Sequence, residues 1–574
     1  MTSALATSAV TAPLDDPRYY LTNFRCVLDW VAERHADLLA APERAFLAGF
    51  AALPEASQAL LVRLVMRKGE HFRTAKLAYA EIGATQAALA PLVEAGFVEA
   101  DPALDIATLF SQLRLAELRE ALAGEIVAAG LPRATPKAAL YEALAPVLVT
   151  PRRLVEWWPA APDRVVRLTV MATCDRLRLM FFGNLRQDWA EFVLAELGVQ
   201  CFESVPFTAD SRAFQRREEV DAYLALHRLR ERLDAGESAA ALQAELPAVP
   251  AGNAWLAARR DRLLLALGRQ AERDGAVELA LACYAAAGWG EGASGEARIR
   301  RLRLLERQGR HAEAFALAQP LVAASHERAG AEAEAQALGR LLPRLARRLG
   351  ERVVPRPAAP PPERFILALD PGAASLGVER VAAVQLHRDS APVYYVENAL
   401  ITGLFGLMCW EALYAPLPGA FFHPFHAGPA DLYREDFVAR RRERFDACLA
   451  CLDDGRHAAT IRAAWRAKHG LASPFVHWEV LDAALIDLAL ACLPGAHLRA
   501  CFERLLGDLK ANRAGLPDLI QFYPEAAPGE PRYRLIEVKG PGDRLQDNQR
   551  RWLAFFYQQG MPAEVCHVTW RAAP

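Results

Sequence analysis

Pro517-Asp518 and, further along the chain, Glu537-Val538-Lys539 are residues whose types and spacing could do chemistry. On a strand, Glu537 and Lys539 point to one face and Val538 to the other. Two strands joined by the loop around Pro524–Pro531 would bring Asp518 beside Glu537. Two carboxylates and an ammonium on one surface suit metal-assisted phosphodiester hydrolysis. Mg²⁺ and Mn²⁺ are hard cations that take oxygen ligands, here the carboxylates of Asp518 and Glu537 and the backbone carbonyl of Val538. Such a cation lowers the pKa of a bound water and offsets charge on the scissile phosphate. Lys539 would orient the attacking water or stabilise the transition state. Gly540, Pro541 and Gly542 would then allow the backbone to approach DNA closely. The alternative is an exposed hairpin carrying a Glu–Lys surface pair. Lys539 is one of only six lysines, with Lys68, Lys76, Lys137, Lys468 and Lys510, among 67 basic side chains, so composition alone rarely places one.

The elements that must hold these residues belong to a long chain. At about 100–200 residues per domain, 574 residues predict several domains. Hydrophobic residues at 53% and charged residues at 24% exclude a disordered scaffold or a collagen-like fibre. No stretch of about 18 or more uncharged apolar residues suggests a transmembrane helix, and the N-terminus lacks the basic opening of a signal peptide, so no membrane association and a cytoplasmic location are expected. The net charge of -2 argues against a uniformly basic nucleic-acid coat, but only local charge on a binding face matters for a DNA enzyme. Ten irregularly spaced cysteines suggest reduced thiols.

Residues 1–105 read as a helical, winged-helix-like domain. Arg63, Arg67 and Lys68 fall at helical spacing on one face, either a solvated face or a phosphate-binding one. Residues 106–150 form two short amphipathic helices around a Gly130–Pro136 loop with Lys137, a hairpin that could present basic groups to phosphates. Residues 151–245 continue helical. Residues 246–350 show paired helices of tetratricopeptide type, with Ala282 and Ala314 allowing close packing. The proline run in 351–363 reads as a stiff linker. Residues 364–574 mix helices and strands, an α/β domain.

The run Gly515-Leu516-Pro517-Asp518-Leu519, Glu537-Val538-Lys539-Gly540-Pro541, Asp543-Arg544-Leu545, Gln549 and Glu564-Val565-Cys566-His567-Val568 resembles the VRR-NUC branch of the PD-(D/E)xK nucleases. The order of N-terminal block, hairpin, helical repeats and C-terminal nuclease resembles the Fanconi-associated nuclease family. The resemblance implies a mostly α-helical N-terminal two-thirds and a C-terminal restriction-endonuclease-like α/β domain. It implies a third metal carboxylate, Glu397, ahead of the strands, with Glu379 and Glu411 as surface competitors. It implies that Gln549 positions a water, a ligand or Lys539. It favours Arg63, Arg67, Lys68 and Arg544 as DNA contacts.

What the resemblance implies of function is a structure-specific nuclease using two divalent cations, Mg or Mn. It would cut branched or flapped DNA at 5′ flaps and trim 5′→3′ in interstrand crosslink repair. No ubiquitin-binding zinc finger precedes Tyr19, which matches a short bacterial form, nucleoid-associated in the cytoplasm. A Holliday-junction resolvase and a DNA-binding adaptor with an inactive nuclease fold stay open as alternatives. Three other patterns carry little weight: Cys448-x-x-Cys451 without a partner pair, His423 and His426 in a Pro/Gly-rich loop, and Gly290, Gly292 and Gly295 between helices.

Overall fold

The structure is a computed structural model that describes residues 16–187, 189, 201–250, 252–288, 294–327, 331–352, 360–370, 377–434 and 436–571. It divides into two compact units, Met1–Gln200 with Thr208–Val220, and Cys201–Phe207 with Asp221–Pro574.

In the first unit, helix Tyr19–Arg34 buries Tyr20, Phe24, Val27, Leu28 and Val31, the i, i+3/i+4 stripe of an amphipathic helix. Helix Glu55–Val65 is almost wholly buried. It ends before the basic pair, and Gly69 at φ +88° turns the chain into strand β1, His71–Arg73. Arg67 and Lys68 therefore lie beyond the helix and share no helix face with Arg63. β2, Val98–Ala100, and β3, Val165–Leu168, complete an antiparallel sheet in the order β1-β3-β2. β3 corrects the reading of 151–245 as continuously helical. The hairpin region holds helices Ile106–Gln112, Leu115–Ala121, Ala123–Ala128 and Lys137–Leu144. Lys137 Nζ donates to the carbonyl of Leu113 at 2.8 Å, so this ammonium closes the hairpin.

In the second unit, helices Ala254–Arg273, Val277–Ala287, Gly295–Arg307, His311–Glu327 and Glu332–Leu349 share a leucine- and alanine-rich core. Ala314 is fully buried there, but Ala282 is exposed. The close approach is made at Gly268, where a Cβ would meet the Tyr284 ring at 2.6 Å. Of the proline run, residues 353–359 lie outside the described residues, as do Gly290 and Gly292; Gly295 opens a helix.

The remainder builds a five-stranded mixed sheet in the order β4-β8-β7-β6-β5. Its strands are β4 Glu363–Leu369, β5 Val393–Tyr395, β6 Leu519–Phe522, β7 Tyr533–Lys539 and β8 Ala563–Trp570. β8 runs parallel to both β4 and β7, while β6 is antiparallel to β7 and β5. β7 reaches β8 through helix Asp547–Gln558, since a parallel pair needs a crossover. One face packs on the large core containing Leu535, Trp552 and Phe556, the other on Leu519, Ile536, Val538 and Ala382. Every residue of helix Leu400–Met408 is buried. Its glycines permit this, for a Cβ on Gly403 would fall 2.1 Å from Leu481 and one on Gly406 2.8 Å from Phe475.

No single described helix is long and apolar enough to cross a membrane.

Candidate active site

The antiparallel register pairs Leu519 with Ile536, so one position further on Asp518 faces Glu537. Asp518 Oδ2 accepts from the Val538 N–H at 2.8 Å, which fixes its carboxylate against β7. Lys539 Nζ lies 2.8 Å from Glu537 Oε1. All three are buried, Glu537 completely. Alternation sends Val538 to the opposite core and leaves its backbone at the site.

The approach to Asp518 is shaped by Gly515. It adopts φ +90°, and a Cβ there would meet Asn548 backbone and side-chain atoms at 2.7–2.8 Å. Only glycine supplies that turn and lets the Gly515–Asp518 segment lie on helix Asp547–Gln558. After Lys539, the N–H of Gly540 donates to Asp543 Oδ2 at 3.0 Å, which closes the loop that carries Arg544.

Glu397 follows β5. The N–H of Val396 donates to the Asp518 carbonyl at 2.8 Å, so sheet pairing brings Glu397 to the edge of the carboxylate pair. Tyr395 donates its hydroxyl to Glu397 Oε2. Asn398, at φ +54°, accepts at Oδ1 from the Leu516 N–H at 3.1 Å and ties this bend to the Gly515 turn.

Burial pushes the carboxyls of both Asp518 and Glu537 well above the ordinary range; the Asp518 charge adds to the shift of Glu537 and Glu397 adds to both, while the Val538 N–H opposes that of Asp518 and Lys539 opposes both. Glu379, in the first turn of helix Val378–Leu386, also raises Asp518. It therefore stands within the field of the site, unlike the surface placement read from the sequence. Glu411 is exposed and acts on Cys448 instead.

The donor set fits a hard divalent cation. Two adjacent carboxylates are held out of water with one ammonium beside Glu537, and among the described residues no N–H or O–H donor completes a hydrogen bond to either Glu537 oxygen beyond that ion pair. A cation would offset the excess negative charge that burial now penalises. Among the described residues, no three His, Cys, Asp or Glu side chains are drawn together as a ready metal cage. The adjacent pair is Asp518 and Glu537, with Glu397 and Glu379 further out.

Other expected residues fall differently. Gln549 Oε1 accepts from the Gln546 N–H at 2.8 Å, so its side chain caps helix Asp547–Gln558 and does not hold Lys539. Arg63 forks onto Glu81 at 2.5–2.8 Å and stacks 3.8 Å over the Tyr20 ring, so its charge is committed within the fold. Arg67 and Lys68 are exposed, Arg67 resting on Tyr79 OH at 3.2 Å. Arg544 is exposed on the loop after β7. His423 and His426 stack at 4.0 Å, and each accepts from a nearby backbone N–H, while burial holds His426 down at about 4. Cys448 lies on helix Arg442–Asp453 against buried Cys409, and Cys451 Sγ points to the Ala447 carbonyl at 3.6 Å.

Residues 18–99 match the FAN1 HTH domain, 103–157 the Fanconi anemia-associated nuclease SAP domain and 452–570 the VRR-NUC domain. The chain is 51% identical over 557 residues to a Fanconi-associated nuclease 1 homolog of Pseudomonas aeruginosa, covering 97% of each. To the homolog of Oryza sativa it is 25% identical over 96% of this chain and 62% of that relative. A solved structure of paFAN1 bound to 2nt 5′ flap DNA with a gap superposes with a TM-score of 0.91 at 50% identity, covering 98% of this chain and 100% of that one. A second, bound to 1nt 5′ flap DNA with a gap, gives 0.89 at 51% identity over 97% and 100%.

Proposed function

This chain belongs to the Fanconi-associated nuclease family and is a structure-specific DNA nuclease that uses divalent metal, and from that premise we propose that it cuts 5′-flapped duplexes. The observation that carries the reading is the buried Asp518–Glu537 pair with Lys539 at 2.8 Å, in a chain half identical to a nuclease solved on 5′ flap DNA. Cleavage near the flap junction and 5′→3′ trimming would serve repair of interstrand crosslinks.

Asp518, Glu537, Glu397 and the Val538 carbonyl would together hold two Mg²⁺ or Mn²⁺ ions. The cations supply a water of lowered pKa and charge compensation at the phosphate. Asp518 is pinned by the Val538 N–H and meets its ligand without rotamer loss. The Lys539 ammonium is fixed beside Glu537, poised to orient the water and to meet charge that builds up on the phosphoryl oxygens. Burial excludes bulk water and strengthens each of these interactions.

Arg67, Lys68 and Arg544 would contact phosphates, which position DNA without reading its sequence. Arg63 supports the fold beside them. Replacing Arg67 and Lys68 together by alanine should weaken flap binding and reduce the slope of log K against log salt by up to about 2, at roughly 0.9 for each phosphate left unneutralised. An unchanged slope would make them solvated surface residues.

The substrate reading is tested with a 5′ flap and a four-way junction, each strand labelled in turn, in Mg²⁺, Mn²⁺ and EDTA. Metal-dependent incision near the flap junction is expected. Symmetric cutting of the four-way junction in preference to the flap would identify a resolvase instead.

A further inference from the structure

We propose that Tyr395 is a positioning residue for the metal carboxylate Glu397, holding it in place before a cation arrives. The inference rests on the reading of Glu397 as a ligand.

Tyr395 ends β5 and is in register with Leu519 of β6. The next residue, Val396, is hydrogen-bonded to Asp518. The phenol is therefore carried by sheet pairing to the immediate neighbourhood of the carboxylate pair, with no loop to blur its position. Its hydroxyl donates to Glu397 Oε2, and Asn398 Nδ2 reaches Oε1 at 3.4 Å. The side chain of Glu397 is thus held from both sides. Asn398 is itself anchored by the Leu516 N–H, two residues before Asp518.

Glu397 needs this support more than Asp518 does. Asp518 is short, buried and bonded to a backbone N–H, whereas Glu397 has one more rotatable bond and follows the end of a strand. Ordering a free glutamate side chain costs up to about 1.5–2 kcal/mol in rotamer entropy. A phenol, with an ordinary pKa near 10, is a donor throughout the neutral range. It occupies one lone pair of one oxygen and leaves the others open to a cation. Tyr395 is 37% exposed, so solvent and substrate can still reach the carboxylate it holds. Partners of ligating carboxylates typically change metal affinity by about 10–100-fold when removed.

The test is calorimetric titration of Mn²⁺ into metal-free full-length protein, for wild type, Tyr395→Phe and Glu397→Gln. Flap cleavage is followed in parallel against Mn²⁺ concentration. Tyr395→Phe should weaken Mn²⁺ binding by about tenfold or more. It should raise the half-saturating Mn²⁺ for cleavage by the same factor, with the rate recovering at saturation. A purely structural phenol would lower the melting temperature and the saturated rate but leave Mn²⁺ affinity alone. If Glu397→Gln weakens Mn²⁺ binding and Tyr395→Phe does not, the positioning role is overturned and Glu397 remains a ligand. If neither variant changes affinity, Glu397 is not a ligand and both readings fall.

Discussion

Glu537→Ala should lower flap cleavage by at least about 10³-fold while leaving DNA affinity and the fold intact. A cation site supplies several kcal/mol of transition-state stabilisation, and each 1.36 kcal/mol is tenfold in rate. Glu537 is central to that site, since it touches Lys539 and faces Asp518. The fold should survive because the variant removes a buried carboxylate whose one partner among the described residues is the Lys539 ammonium, and leaves Asp518 and Lys539 as opposite charges. In EDTA the variant should melt at or above the wild-type temperature. The pH dependence has a defined sign. Both carboxyls have folded-state pKa values raised by burial, so they favour folding below the unfolded carboxyl range. That contribution is lost as pH rises through the raised values. Metal-free wild type should therefore lose stability from mild acid toward neutral pH more steeply than Glu537→Ala. Residual cleavage within tenfold of wild type would place the chemistry elsewhere, and lost DNA binding would give Glu537 a contact role.

Arg441→Ala should destabilise the nuclease unit by about 3 kcal/mol, the lower end of the cost of leaving a buried charge unpaired. Arg441 forks onto Asp431 with both bonds at 2.9 Å, and both side chains are at most 1% exposed. It also lies 4.0 Å over the Phe437 ring. Arg440 reaches Asp431 at 2.5 Å and would compensate in part. The pair stands just before helix Arg442–Asp453, whose Phe445 stacks on Phe405 in the large core. Calorimetry should show the melting temperature of the unit that holds Arg441 shifted down. Adding Asp431→Asn should recover part of the loss, because it removes the orphaned charge; no recovery would mean that packing of the guanidinium on Phe437 dominates.

The β6–β7 hairpin that brings Asp518 beside Glu537 was readable from the sequence because its information is local. The alternation in Glu537-Val538-Lys539, the turn-forming Gly515 and the helix with Trp552 and Phe556 each act within a few residues. What escaped depends on partners far away. β5 is three residues long and exists because β6 pairs with it from more than a hundred positions along the chain. β3 likewise needs β1 and β2, so its segment reads as helix in isolation. The basic cluster misled because helical periodicity runs past Val65, while Gly69 and the β1–β3 pairing end the helix. Arg63 was unreadable for another reason: its carboxylate, Glu81, lies across a strand and a turn. Gln549 has the composition of a catalytic amide, but three-residue spacing from Gln546 is also that of a helix cap, and the cap won.

The sheet order has a consequence for synthesis on the ribosome. β8 is the last strand made, yet it sits between β4 and β7. Until Ala563–Trp570 has emerged, β4 has no neighbour to pair with, and β7 has an open edge beside Glu537 and Lys539. The first unit can fold while the nascent chain is still growing. The five-stranded sheet must wait for β8, and a chain stalled before Ala563 carries the first unit without a closed sheet in the second.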